Sequence, residues 1–130
     1  MNFNVLLINI TAAIFALYGL GFVFAPAQLA LLITDAAPAT ATALTDMRAT
    51  YGGMSVGVGI VLFVLSSKAE TIRLGLLAVL LLMVGMGGGR LVGLIIDGAE
   101  NQIMYVYLAL EVVASVAAWL LLSRNKPLSV

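Results

Sequence analysis

Three ionisable residues lie inside long apolar runs: Arg48, Arg90 and Glu111. An ionisable side chain at mid-bilayer costs about 2.5–3.5 kcal/mol on insertion scales, so each needs a partner or a task. One carboxylate and one guanidinium can neutralise each other as an ion pair. The second guanidinium is then left over, and an arginine in that position can hold a phosphate or a carboxylate. Glu111 could instead act as a general base or as the carboxylate of a proton-coupled transporter. Much other chemistry is excluded. The chain has no Cys and no His. That removes disulfides, iron–sulfur clusters, thiol nucleophiles, imidazole metal ligands and Ser-His dyads. A single carboxylate is a thin basis for an active site. No catalytic residue, metal site or cofactor is therefore expected.

The elements that position these residues follow from composition. Of the 130 residues, 63% are hydrophobic and 9% are charged, whereas a soluble domain carries about a quarter charged residues. A spanning helix needs about 20 apolar residues. Stretches over about 3–24, 44–66, 72–96 and 103–122 meet that length. They are apolar all round, which excludes the alternating pattern of a barrel strand. The expected fold is an all-α, integral membrane four-helix bundle, a single domain over 1–130. The first run lacks a preceding positive side chain and exceeds the usual signal-peptide core of about 7–15 residues. It is expected to remain as a span despite the small residues around Ala25-Pro26-Ala27. Between the first two spans, the apolar run Gln28 to Thr34 is too short to cross. It is expected as a half-helix at the outer interface, with Pro26 in its first turn or ending the helix before it.

Loop charges orient the spans. Lys68, Glu70, Arg73, Arg124 and Lys126 fall on one side with a net charge of +3, while the other loops carry Asp35, Asp46, Asp97 and Glu100 and no Lys. Both termini are therefore expected in the cytoplasm, with the chain in a bacterial inner membrane. At 1.5 Å rise per residue, Arg48, Arg90 and Glu111 lie roughly 6, 9 and 12 Å below the outer boundary. All three thus occupy the outer half of the bilayer. Helical spacing places Arg48, Gly52, Ser55 and Gly59 on one face, Arg90, Gly93 and Asp97 on another, and Tyr107, Glu111, Ala114, Ser115 and Ala118 on a third. Small residues mark protein-facing sides of membrane helices. The expected polar cluster is an Arg90–Glu111 pair in the interior, with Arg48 and Asp46 at its outer rim, Asp97 and Tyr107 on the same faces, and Tyr51 within reach as a hydrogen-bond donor. Pairs of small residues four apart (Gly53 with Gly57; Ser55 with Gly59; Gly85, Gly89 and Gly93 in series) are expected to let helices pack closely. Gly87-Gly88-Gly89 could also loosen the third helix beside Arg90. Tyr105, Tyr107 and Trp119 read as interface anchors.

The segment Asp46-Met47-Arg48-Ala49-Thr50-Tyr51-Gly52-Gly53 resembles the D-x-R-A-x-Y-G-G element of a family of small four-helix bacterial membrane proteins, catalogued as domain of unknown function 4345. Gly89-Arg90-Leu91-Val92-Gly93, Asp97-Gly98 and Glu111 fit the same pattern, so the resemblance extends over nearly the whole chain. It implies four helices and an outer polar site, and no substrate. Small multidrug exporters fit less well, because their proton-coupled Glu lies in the first helix and the first span here has no charge.

Three functions are compatible with these residues. The first is binding or carrying a small amphipathic or anionic ligand or lipid, with Arg48 and Arg90 at the anionic end. The second is a non-catalytic accessory or assembly subunit that self-associates through its glycine ridges. The third uses Glu111, as the carboxylate of a small proton-coupled transporter or as the base of an enzyme. Expected partners are membrane lipid, such a ligand and a second copy of the chain. Neutral net charge and few basic residues argue against nucleic acid.

Overall fold

The computed structural model describes residues 2–98 and 101–124. Glu100 and Lys126, used above for orientation, lie outside them. All regular structure among the described residues is helical. Helix α1 spans Phe3–Phe24, α2 Pro26–Thr34, α3 Ala41–Met47, α4 Met54–Ser66, α5 Ile72–Ile96 and α6 Ile103–Arg124. A π-helical stretch, Arg48–Gly53, joins α3 to α4 so that Ala41–Ser66 runs without a break. A short 3₁₀ turn, Ala69–Thr71, leads into α5. The four lengths Phe3–Phe24, Ala41–Ser66, Ala69–Ile96 and Ile103–Arg124 are each long and apolar enough to cross a membrane. They carry bare apolar side chains on their surfaces: Leu17, Phe24, Ile95 and Ile96 are 70–77% exposed. A water-soluble monomer does not present large apolar surfaces of this kind; hydrocarbon is the solvent that suits them.

Helix ends are set locally. Pro26 occupies the first turn of α2, where its missing N–H would have had no partner. That helix stops at Asp35, which adopts the left-handed conformation (φ 59°) and donates its N–H to the Leu31 carbonyl. Thr40 caps α3 by accepting from the Ala43 N–H at 3.1 Å, the usual role of a hydroxyl at that position. The short run after the first span is thus a helix, as expected from Gln28 to Thr34. The second span begins earlier than Leu44, because the Thr40 cap starts the helix at Ala41.

Close contacts divide the chain into two compact units, Thr11–Val61 and Met1–Ile10 with Leu62–Val130. In the first, backbones approach at single glycines. A Cβ on Gly19 would lie 2.6 Å from the Val56 nitrogen, and one on Gly59 would lie 2.8 Å from the Ala12 carbonyl oxygen. One on Gly52 would lie 2.8 Å from a Val23 methyl. Phe22 is buried between two tyrosine rings, with centroids 4.8 Å from Tyr18 and 5.4 Å from Tyr51. In the second unit, a Cβ on Gly75 would lie 2.8 Å from the Ile8 side chain, and Ile8, Leu76 and Val79 are fully buried. Ser66, buried, donates to the Asn9 amide oxygen at 2.6 Å.

Gly52 and Gly59 lie on the small-residue face expected from helical spacing, whereas Gly53, Gly57, Gly85, Gly89 and Gly93 do not make such approaches. A Cβ at Gly57, Gly85, Gly89 or Gly93 would meet no described atom within 4 Å, and one at Gly53 would meet only its own helix's Arg48 carbonyl at 3.8 Å. Among the described residues, the closest approaches fall at Gly19, Gly21, Gly52, Gly59 and Gly75. Spacing of four marks a face that can take a neighbour. It does not say whether this chain provides one.

Candidate functional site

The best-defined polar cluster joins α5 and α6. Arg90 donates from Nε to both carboxylate oxygens of Glu111, at 3.2 Å to Oε1 and 3.1 Å to Oε2, and from Nη2 to Oε1 at 2.8 Å. Nε with Oε2 and Nη2 with Oε1 make the two parallel bonds of a side-on fork, the strong geometry for this pair. The side chains are 19% and 6% exposed, respectively. Two further groups on α6 complete the surround. The Tyr107 ring centroid lies 5.1 Å from the guanidinium carbon, and Nη1 lies 3.1 Å from the Met104 sulfur. Gly87 lies opposite the carboxylate, where an added Cβ would sit 3.5 Å from the Glu111 Cβ.

Helix geometry explains this convergence. Positions 104, 107 and 111 follow i, i+3, i+7, one stripe of α6. Ala118 continues it and is fully buried. Ser115 donates its hydroxyl back to the Glu111 carbonyl at 2.7 Å, so it needs no partner on another helix. On α5, Gly87 and Arg90 are three residues apart, so the small residue gives the carboxylate room and the long one reaches it. Among the described residues, every buried side-chain nitrogen and oxygen has a hydrogen-bond partner.

Arg48 belongs to the other unit. It is exposed at the start of the π-helix and donates from Nη1 to the Val23 carbonyl. Val23 is in the last turn of α1, whose terminal carbonyls lack helical partners, and a cation there complements the helix dipole. This is one of five guanidinium N–H groups; among the described residues, no other side-chain hydrogen bond or ion pair holds Arg48. Asp46 is exposed, and its backbone carbonyl accepts from the Thr50 hydroxyl at 2.7 Å. Tyr51 is 50% exposed with its ring against Phe22. Asp97 is exposed at the C-terminal end of α5, where its N–H donates to the Gly93 carbonyl at 2.8 Å.

Of the residues expected to form the polar site, Arg90, Glu111 and Tyr107 come together. Arg48, Asp46 and Tyr51 have separate partners within their own unit, and Asp97 ends its helix. Sequence reasoning missed Met104 and Gly87. Met104 was legible as the residue seven before Glu111 on the same stripe. Gly87 was hidden among its neighbours Gly85 and Gly89, which show the four-residue spacing. The π-helix was missed as well. It covers Arg-Ala-Thr-Tyr-Gly-Gly, the heart of the element singled out above. Such turns recur at functional sites. A turn wider than α shifts the faces on either side of it, which explains why Gly52, Ser55 and Gly59 are buried while Arg48 is exposed.

Chemically, the Arg90–Glu111 pair is neutral and occupied. Three of the five Arg90 N–H groups are engaged, and the carboxylate faces a guanidinium rather than a space for a substrate. Among the described residues, no three acidic side chains gather in a way that could hold a metal ion. No curated protein and no solved structure matches the chain. The family model described as Domain of unknown function (DUF4345) matches residues 4–122, nearly the whole chain, and the chain belongs to that family.

Proposed function

We propose that the chain is a non-catalytic membrane protein that binds an anionic amphiphile, with Arg48 taking the anionic group and the Arg90–Glu111 pair serving as a strut between α5 and α6. The contrast between the two arginines carries this reading. Arg90 is neutralised by a carboxylate, whereas Arg48 is exposed, has no acidic partner among the described residues and spends one N–H on a carbonyl. A charged guanidinium near the membrane surface with donors to spare is suited to phosphate or carboxylate. The loop-charge bias supports a position near the outer headgroups of an inner membrane, with Tyr51 at a similar depth. The anion-holding role assigned from sequence to both arginines thus narrows to Arg48.

Native mass spectrometry of protein released from bilayers containing phosphatidylglycerol tests this. Arg48→Gln should lose the bound lipid that the wild type retains. Equal lipid retention by both would overturn the reading. A low-mass carboxylate adduct in place of phospholipid would keep the site and change the source of its anion.

Self-association is a second reading with its own support. Gly85, Gly88, Gly89 and Gly93 each weaken a helix by about 1 kcal/mol relative to Ala, and a Cβ at any of them meets no described atom within 4 Å. A helix of a second copy would give that openness a use. Gly89→Leu should then convert a detergent-stable oligomer to monomer in light scattering.

A further inference from the structure

Met104, Tyr107 and Glu111 present three different groups along one stripe of α6, and all three act on the same cation. The carboxylate takes the edge of the guanidinium through a two-bond fork. The sulfur meets Nη1 at 3.1 Å. The Tyr107 ring stands 5.1 Å from the central carbon. Glu111 is 5% exposed. Each contact suits a planar, delocalised cation better than a compact ammonium. A fork needs two parallel N–H vectors, and a ring attracts a flat, weakly hydrated cation.

We propose that Met104, Tyr107 and Glu111 form a binding cradle for guanidinium compounds on α6, with Arg90 as its tethered occupant. The cradle is a property of α6 and Gly87, and it survives removal of the Arg90 side chain. The ligand class is an alkylguanidinium cation. Gly87 lets α5 pack against the carboxylate without blocking it (a Cβ there would already sit 3.6 Å from Oε2), and removing the Arg90 side chain vacates the fork, so an untethered guanidinium can take the place of the missing one. This site is separate from the anion site assigned to Arg48 and stands or falls independently of it.

The test is chemical rescue of the full-length Arg90→Ala variant. Thermal unfolding in detergent is followed with ethylguanidinium or ethylammonium chloride at matched concentrations. Ethylguanidinium should raise the midpoint progressively with concentration, as expected for a ligand of the folded state. Its apparent affinity should exceed that of ethylammonium by about tenfold or more, the worth of the extra charged hydrogen bond. Adding Tyr107→Leu should weaken the response, and adding Glu111→Gln should abolish it. Equal responses to the two cations, or none, would overturn the proposal. If Arg90→Ala yields no folded protein unaided, the readout becomes the yield of monodisperse protein purified with each cation. Recovery with ethylguanidinium alone supports the cradle, and equal recovery with both, or none, refutes it.

Discussion

Replacing the two members of the α5–α6 pair by methionine, singly and together, gives an asymmetric expectation. Arg90→Met leaves Glu111 facing apolar neighbours. Its short stem cannot carry the charge to the membrane surface, and its side chain is only 6% exposed. Breaking a buried pair from one side costs about 3–5 kcal/mol, and this variant should fall in that range. Glu111→Met strands Arg90 instead. That side chain is 19% exposed, keeps Tyr107 and Met104 as neighbours, and is long enough to turn towards the headgroups, so the cost should be nearer about 2 kcal/mol. The double variant exchanges the pair for apolar chains of similar length and should lie within about 1 kcal/mol of wild type. The resulting coupling is at least about 4 kcal/mol, above the range usual for residues in contact. Reversible unfolding by SDS in mixed micelles, followed by the fluorescence of Trp119 on α6, measures all four proteins. Additive losses in the double variant would refute the strut. Equal losses in the two single variants would refute the asymmetry.

Other perturbations have distinct signatures. Gly59→Leu pushes a side chain against the Ala12 carbonyl, where even a Cβ would sit at 2.8 Å. It should destabilise the protein by about 1–3 kcal/mol through overpacking, read as a lower thermal midpoint. Gly89→Ala meets no described atom within 4 Å and should stabilise it by up to about 1 kcal/mol through helix propensity. A loss of similar size there would mean that another chain covers Gly89. Ser66→Ala removes the 2.6 Å bond donated to the Asn9 amide oxygen and should cost about 1 kcal/mol, read as a lower thermal midpoint.

The spans were legible because bilayer thickness permits few alternatives. The expected bounds 3–24 and 72–96 coincide with α1 and α5, and the fourth helix continues past Leu122 only to Arg124. Arg90 and Glu111 were legible for a related reason. Opposite charges on small-residue stripes of neighbouring spans have few other ways to avoid hydrocarbon. What stayed hidden depends on details below the level of periodicity. The residues Arg48 to Gly53 have no composition that distinguishes an i→i+5 turn from an α-turn, so the exposure of Arg48 could not be read from its α-helical phase with Gly52. The glycine series on α5 is visible in the sequence, but no described atom lies within 4 Å of a Cβ placed at Gly85, Gly89 or Gly93. The close approaches at Gly52 and Gly59 follow the small-residue face read from spacing; those at Gly19 and Gly75 do not, because what decides there is the backbone or side chain opposite. That neighbour is a property of the fold, and residue spacing along one helix does not encode it.

The two arginines carry opposite assignments, Arg90 satisfied by Glu111 and Arg48 proposed to hold an anion. Dipolar recoupling between lipid phosphorus and guanidinium nitrogen, in bilayers containing phosphatidylglycerol, distinguishes them directly. Compared with wild type, the Arg48→Lys protein should lose a phosphorus-dephased arginine signal, while the Arg90→Met/Glu111→Met protein should keep every such signal. Loss of dephasing in the double variant, with none in Arg48→Lys, would exchange the two roles and contradict the account.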